Sequence, residues 1–376
     1  MSLFTKTGPW MVATLSAVAS IFGQNSKCAP AQKSFEQGHE MMQSQMMAGY
    51  NAPARIEVRG SWDVYASGSF TYWQAIQENM ELGVVSNITN PVHIINGDVV
   101  NFHSSYRPGF QVELGMNFDH DNWDTLVRYT WFRGTHTTET NLNPTTPDTQ
   151  LVPFWTVSGT TDGAYLRGVE KWQLHMDILD WELARSSYVG TKLSFRPFFA
   201  ARAAWIRQNV DVDYYNSVTI DTATRVGRSS TVDQKAQSWA VGPRAGLYTN
   251  WMLGQGFRMY GNGGADILFT QYTRLGFSED VVSTSGTVVI TSLVVKQRKA
   301  NYLRTHLDLE LGFGWGSYFD NNNWHVDLSA GYGFQVFYDQ NMFRHFTSNH
   351  DEIGTSISPN GNLYMHGLTA KARFDF

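Results

Sequence analysis

The sequence predicts an all-β chain, folded as a closed antiparallel transmembrane β-barrel of about ten strands with short periplasmic turns and long extracellular loops. Three observations carry this. Apolar and polar residues alternate along segment after segment from Trp62 to the terminal Phe376, the links between these segments alternate between short and long, and the chain is 14% aromatic but only 16% charged. A strand between lipid and a polar lumen needs an apolar side chain only at every second position, so many aromatics coexist with a mild mean hydropathy of −0.31. Two ordinary soluble cores in 376 residues would not explain that aromatic content. Beyond the N-terminal region no apolar run is long enough to cross a bilayer as a helix. A net charge of −5 leaves no basic footprint for nucleic acid.

The elements follow in order. Lys6 and the apolar stretch Trp10 to Phe22 read as a signal peptide within residues 1–31, cleaved between 19 and 31, because small-x-small patterns end at Ala19 and Ala31. Cys28 follows Asn25-Ser26-Lys27, which lacks the small apolar residues that precede a lipidated cysteine. As the chain's lone cysteine it forms no internal disulfide. Residues 32–60 differ in composition, with Met41, Met42, Met46 and Met47 clustered, and read as a periplasmic N-terminal segment or a small plug. Paired methionines there are packing residues more readily than copper ligands.

The barrel is expected over residues 61–376, where the period changes to two. Val64, Ala66, Phe70 and Tyr72 share one face of the first strand, and Phe110, Val112, Leu114 and Met116 one face of the second. A tight reversal at Asp119 to Asn122 leads into Trp123, Val127, Tyr129 and Trp131. Alternation continues through Trp172, Leu174, Met176 and Ile178, then slips at Ile178 to Trp181, where a β-bulge would restore the faces. Strands around Phe199, Val241, Ile267, Leu309 and Leu328 complete the set. In the last strand Leu368, Ala370, Ala372, Phe374 and Phe376 form the apolar face that barrel-assembly machinery would read.

Short links near 119–122, 184–190, 253–256 and 317–323 alternate with long ones near 74–106, 134–167, 210–236, 275–300 and 340–361. That segregation gives ten strands with both termini periplasmic, in the outer membrane of a Gram-negative-type bacterium. β-like runs at Val92 to Val100 and Thr287 to Val295 leave twelve or more strands open. Trp62, Tyr72, Trp73, Trp123, Trp131, Trp172, Trp205, Trp239, Trp251, Trp315 and Trp324 are expected near strand ends as interfacial girdles.

The opposite face is expected to line the lumen: Glu113, Arg128, Asp177, Lys192, Arg196, Arg202, Arg244, Arg258, Asp266, Arg304, Asp308, Glu310, Asp327, Lys371 and Arg373, with Lys171, His175 and His306 in the same rows. If water fills the lumen, these charges tune which small solutes and ions pass, and their slight basic excess points to a weak anion preference. The competing reading is an ion-pair network that fills a narrow barrel. His306, Asp308 and Glu310 share a strand face, yet alternate positions lie roughly 6.5 to 7 Å apart and select no metal, so neither a metal nor a cofactor is expected. His350-Asp351 in a late loop is the nearest approach to a barrel-enzyme site, and no catalytic residue is assigned. Outer-membrane lipid, small solutes and ions, and a further copy of the chain are the expected partners. The loop Asn141 to Asp148 would serve an adhesive alternative.

Several stretches in the same order also bear on the class: Ser69 to Ala75, Pro108 to Phe118 with His120 to Trp123, Tyr129 to Phe132, Leu174 to Asp180, Arg196 to Phe199, Gly242 to Gly246, and Asp327 to Tyr332 with Phe334-Gln335. Together they resemble the Legionella major outer-membrane protein family, pore-forming barrels found also in environmental relatives of chlamydiae. The resemblance runs from about residue 61 to the C-terminus. It implies a porin-like outer-membrane protein and supplies no catalytic residues, and the cysteine-rich envelopes of true chlamydial major proteins are not matched.

Overall fold

The computed structural model describes residues 52–60, 62–87, 96–118, 121–142, 149–156, 164–216, 227–283, 289–349, 352–357 and 360–376. The expected signal peptide, Cys28, the methionine cluster, Asp119-His120, residues 143–148 and His350-Asp351 lie outside them.

Ten strands close the barrel: β1 (Val64–Gln77), β4 (Tyr106–Asn117), β5 (Trp123–Asn141), β7 (Arg167–Arg185), β9 (Leu193–Tyr215), β10 (Arg228–Gly254), β11 (Phe257–Ser283), β13 (Ala300–Phe319), β14 (Trp324–Asn341) and β17 (Gly361–Asp375). Each pairs antiparallel with its sequence neighbour in the wall, and β17 returns beside β1, so no edge of the wall is left open. Closure is what lipid demands, since an unpaired strand edge there costs several kcal/mol for about every exposed backbone group. Short strands surround the wall: β2 (Gly83–Asn87), β3 (Gly97–Val100) and β6 (Thr149–Pro153) form a small sheet, β8 (Ser187–Val189) lies against β9, β12 (Val289–Gln297) against β11, and β15 (His345–Asn349) pairs β16 (Glu352–Ile357).

At the periplasmic end the turns are tight because their residues tolerate a left-handed backbone. Asp121 and Asn122 have φ of 61° and 57°, and Asp320, Asn321 and Asn322 have 50°, 55° and 69°. Residues 52–60 cross this end as a strap. Tyr188 N donates to Ala52 O at 2.8 Å beside the β7–β9 turn, and Arg59 N donates to Asn322 O at 2.8 Å in the β13–β14 turn.

The wall has two zones of opposite polarity. In the lower zone the outward face is apolar, with Leu303 73%, Leu311 71% and Phe199 70% exposed, and the inward face is charged. This band is the lipid-facing surface. Above it β5, β7, β9, β10 and β11 continue past Trp131, Leu179, Trp205, Trp239 and Phe269, and the pattern inverts. Arg133, His175, Arg207 and Lys235 now face outward, while Phe132, Trp172, Leu174, Met176, Ile206, Val210 and Tyr272 are buried inside. Loop residues Met80, Leu82, Trp155 and Phe343, with Leu151 of β6, fill the concave inner surface, closing an apolar cap over the barrel. Polar tips inside it are tied to backbone: Trp155 Nε1 donates to Glu81 O at 3.1 Å and Tyr214 OH to Leu82 O at 2.6 Å.

Two sequence expectations are corrected here. The pairing of β7 with β5 and β9 runs without a register shift from Arg167 to Ala184, so the bulge expected at Ile178 to Trp181 is absent. Apolar residues occupy both parities there because the inside changes from charged to apolar, not because the strand slips. A register shift does occur at Gln237/Ser238 opposite β11, where Thr273 is the extra residue. Finally, Trp73 and Trp172 belong to the buried core and not to a girdle, Trp73 donating to Thr369 Oγ1 at 3.2 Å.

Candidate functional site: a charged chamber inside the barrel

At the level of the lipid-facing band, inward side chains from every barrel strand converge on a cavity of about 450 Å³. Period-two alternation places them: Arg244, for example, stands between the outward Pro243 and Ala245. The charges are cross-linked around the wall. Glu113 accepts from Arg128 Nε at 2.5 Å, from Ser67 Oγ at 2.8 Å and from Lys371 Nζ. Arg128 also reaches Glu182 at 3.1 Å and the Tyr248 hydroxyl at 3.0 Å. Arg196 binds Asp124 and lies 3.5 Å from Glu182.

A second knot lies above this one. Arg202 pairs bidentately with Asp180 at 2.6 and 2.8 Å and reaches Asp266 at 2.9 Å. Arg244 forks onto Asp308 at 2.6 and 2.9 Å and also contacts Asp266 at 3.2 Å. Lower down, Arg258 pairs with Asp327, and Arg373 donates to Asp375 at 2.9 Å. Tyr260 OH donates to Glu310 at 2.7 Å. Planar guanidiniums matched to carboxylates fix each other's rotamers, so the chamber wall is stiff. Ala54, Arg55 and Ile56 of the strap line the periplasmic side of the cavity.

Of the residues expected to line the lumen, Glu113, Arg128, Arg196, Arg202, Arg244, Arg258, Asp266, Asp308, Glu310, Asp327, Lys371 and Arg373 stand on the inward face. Arg304 is inward too, but at the base of the cap, 3.3 Å from Asp339 and 3.3 Å from Met342 Sδ. Two assignments are corrected. Asp177 is on the outer face, where it binds Arg133 at 2.8 Å and the Tyr129 hydroxyl at 2.7 Å, because β7 keeps its parity. Lys192 is exposed in the turn before β9 and reaches the rim only. Lys171 and His175 point outward for the same reason as Asp177.

Sequence reasoning passed over Asp180, Glu182 and Asp375. The first two were readable: strict alternation back from Ala184 sets them inward. Once these and Asp124 join the inward face, and Asp177 and Lys192 leave it, the basic excess that pointed to anions is gone. His306 is fully buried with Nδ1 2.9 Å from Asp266 and 3.8 Å from Asp308, while Glu310 turns to Tyr260. Among the described residues no group of acidic, histidine or cysteine side chains is arranged to hold a metal.

A closed antiparallel barrel with an apolar outer band, a charged interior and short turns gathered at one end is an outer-membrane β-barrel. Residues 56–376 match the model of the Legionella pneumophila major outer membrane protein family, and the chain belongs to that family. No curated protein matches. Among solved structures the chain is similar to the outer membrane protease OmpT from Escherichia coli, at 10% identity over 86% of this chain and 99% of that one, with a TM-score of 0.37. It is also similar to a FadL homologue of Pseudomonas aeruginosa, at 8% identity over 83% and 89%, TM-score 0.28. A major outer membrane protein from Thermus thermophilus matches at 11% identity over 83% and 99%, TM-score 0.25.

Proposed function

We propose that this outer-membrane barrel is a porin-like protein for passive diffusion of small polar solutes and ions, with its outer end closed by the apolar cap. One observation carries the reading: the roughly 450 Å³ chamber at membrane level. A barrel serving only as a structural element would fill this space with side chains. Guanidinium, carboxylate and hydroxyl groups around a cavity of that size hold water. Because the wall charges pair with one another, the chamber offers little net field, and weak ion selectivity is expected.

The cap favours a second reading, a filled structural or adhesive barrel, since Trp155, Leu82 and Phe343 stand between the chamber and the outside. Catalysis fits less well, because His306 is sealed beneath Phe337 and reaches no substrate. Planar-bilayer recording separates the first two. The full chain is expected to show infrequent small steps, and deletion of Gly83 to Val100, which removes the β2–β3 hairpin from the cap, is expected to give frequent and larger ones. Silence from both proteins, each shown to be folded by heat-modifiable gel migration, would leave the filled barrel standing.

A further inference from the structure

The outer surface above the lipid-facing band carries a second, basic site. Tryptophans mark the band's upper limit in one hydrogen-bonded row: Trp131 is opposite Asp177, Asp177 opposite Trp205, Trp205 opposite Trp239, and Trp239 opposite Gln271. The next outward row, about 7 Å higher along the strands, reads Arg133, His175, Arg207, Gln237 and Arg274. Interfacial tryptophans sit at headgroup level, so this row lies among lipid headgroups.

The row divides into two parts. Arg133 and Arg207 share Asp177, at 2.8 and 3.5 Å. Around Arg274 the situation differs. The extra residue Thr273 turns both itself and Arg274 outward, and opposite it β12 breaks from β13 at Arg298-Lys299. Between these irregularities lies a groove of about 240 Å³ lined by Lys235, Arg274, Lys296 and Arg298. None of these four makes an ion pair or side-chain hydrogen bond among the described residues. The groove's acid, Asp233, is hydrogen-bonded to Asp211 on β9 and Lys235 acts on that acid pair, so the four cations outnumber the one acid of the lining.

We propose that this groove binds a phosphate group of an outer-leaflet glycolipid. Four cations around a recess of that volume, none held in a close ion pair, match a doubly charged phosphate, which accepts charge-assisted hydrogen bonds from Arg and Lys. Trp239, packed against Phe269 at 6.0 Å beneath the groove, provides a surface for an acyl chain of the same lipid. That adjacency favours a lipid phosphate over a free one.

The test uses the full chain folded in detergent micelles, with isothermal titration of three probes: bisphosphorylated lipid A, the same lipid stripped of its phosphates, and inorganic phosphate. Because each basic residue near a charged headgroup strengthens binding, K235Q/R274Q/K296Q/R298Q is expected to bind bisphosphorylated lipid A at least about tenfold more weakly. The stripped lipid is expected to bind wild type as weakly. R133Q/R207Q, at the same height but already paired, is expected to change binding by less than about threefold. Unchanged binding by the fourfold variant, or an equal loss in R133Q/R207Q, would overturn the site. Displacement of the lipid by millimolar inorganic phosphate would overturn the lipid assignment. All four positions are surface residues; should the fourfold variant not fold, R274Q alone is expected to weaken binding measurably, and no change in R274Q would equally sink the proposal.

Discussion

Arg202 shows what a single side chain does inside this barrel. It is 6% exposed and neutralises both Asp180 and Asp266, so truncation leaves two buried carboxylates without their shared cation. Breaking a buried pair from one side costs about 3 to 5 kcal/mol. Arg202→Ala is therefore expected to lower the unfolding free energy in urea by that amount, read from heat-modifiable migration. Asp177→Asn, on the outer face, is expected to cost less, about 1.5 kcal/mol, since its partners Arg133 and Arg207 are 26% and 52% exposed and stay solvated when left unpaired. Equal losses in the two variants would mean that Asp177, too, belongs to the inner network. From sequence alone Asp177 and Asp180 looked alike, close together in a stretch where both parities hold apolar neighbours. Only the register with β5 and β9 tells them apart.

At the level of the strand, alternation revealed where strands are but not what each face meets. β1, β4, β13, β14 and β17 were legible because they are little longer than the band, so one face meets lipid and the other the chamber along most of their length. β5, β7, β9, β10 and β11 run on into the extracellular extension, where outside means water and inside means an apolar cap. The reading that expected long loops at 210–236 and 275–300 therefore missed that most of those residues are strand: β9 runs to Tyr215, β10 starts at Arg228, and β11 with β12 extends the wall upward. The last strand is simpler. Leu368, Ala370, Phe374 and Phe376 are exposed on its outer face, β17 pairs with both β1 and β14, and Phe376 N donates to Val64 O at 3.1 Å. Phe376, which follows the last residue of β17, belongs with Leu368, Ala370, Ala372 and Phe374 to the face expected to be read during assembly. Removing Phe376 costs one backbone hydrogen bond and leaves the chamber intact, so it is expected to cut outer-membrane yield several-fold while unit conductance of the surviving protein stays the same. Wild-type yield from the truncated chain would show that the terminal aromatic is not read during assembly.

For the whole molecule, the decisive feature is the stack of a charged chamber beneath an apolar cap, and the cap contains a group that opposes its closure. Glu170 lies nine residues above the lipid-facing Leu179 on β7, fully buried, with both carboxylate oxygens lacking hydrogen-bond partners. Burial, reinforced by nearby Glu81, holds its carboxyl well above the ordinary range, so the closed cap keeps it protonated. Opening the cap lets it ionise. The sign follows: below the ordinary carboxylate value Glu170 is neutral in both states and favours neither, whereas as pH rises above that value opening gains up to about 1.4 kcal/mol per pH unit, until the closed-state value is reached. His136 acts in the opposite sense. It is buried in the same cap, and burial with Arg107 nearby lowers its value to about 4, so acidification from above its ordinary value of 6.5 favours an open cap in which it can protonate. Glu170→Gln removes the first effect and leaves the second. In bilayer recordings the variant is expected to open less often than wild type at pH 8, to match it near pH 4, and to open more as pH falls from 7 to 4. The two proteins would have superimposable profiles of open probability against pH if Glu170 does not face the closed cap, and that result would remove the cap as the gate of this barrel.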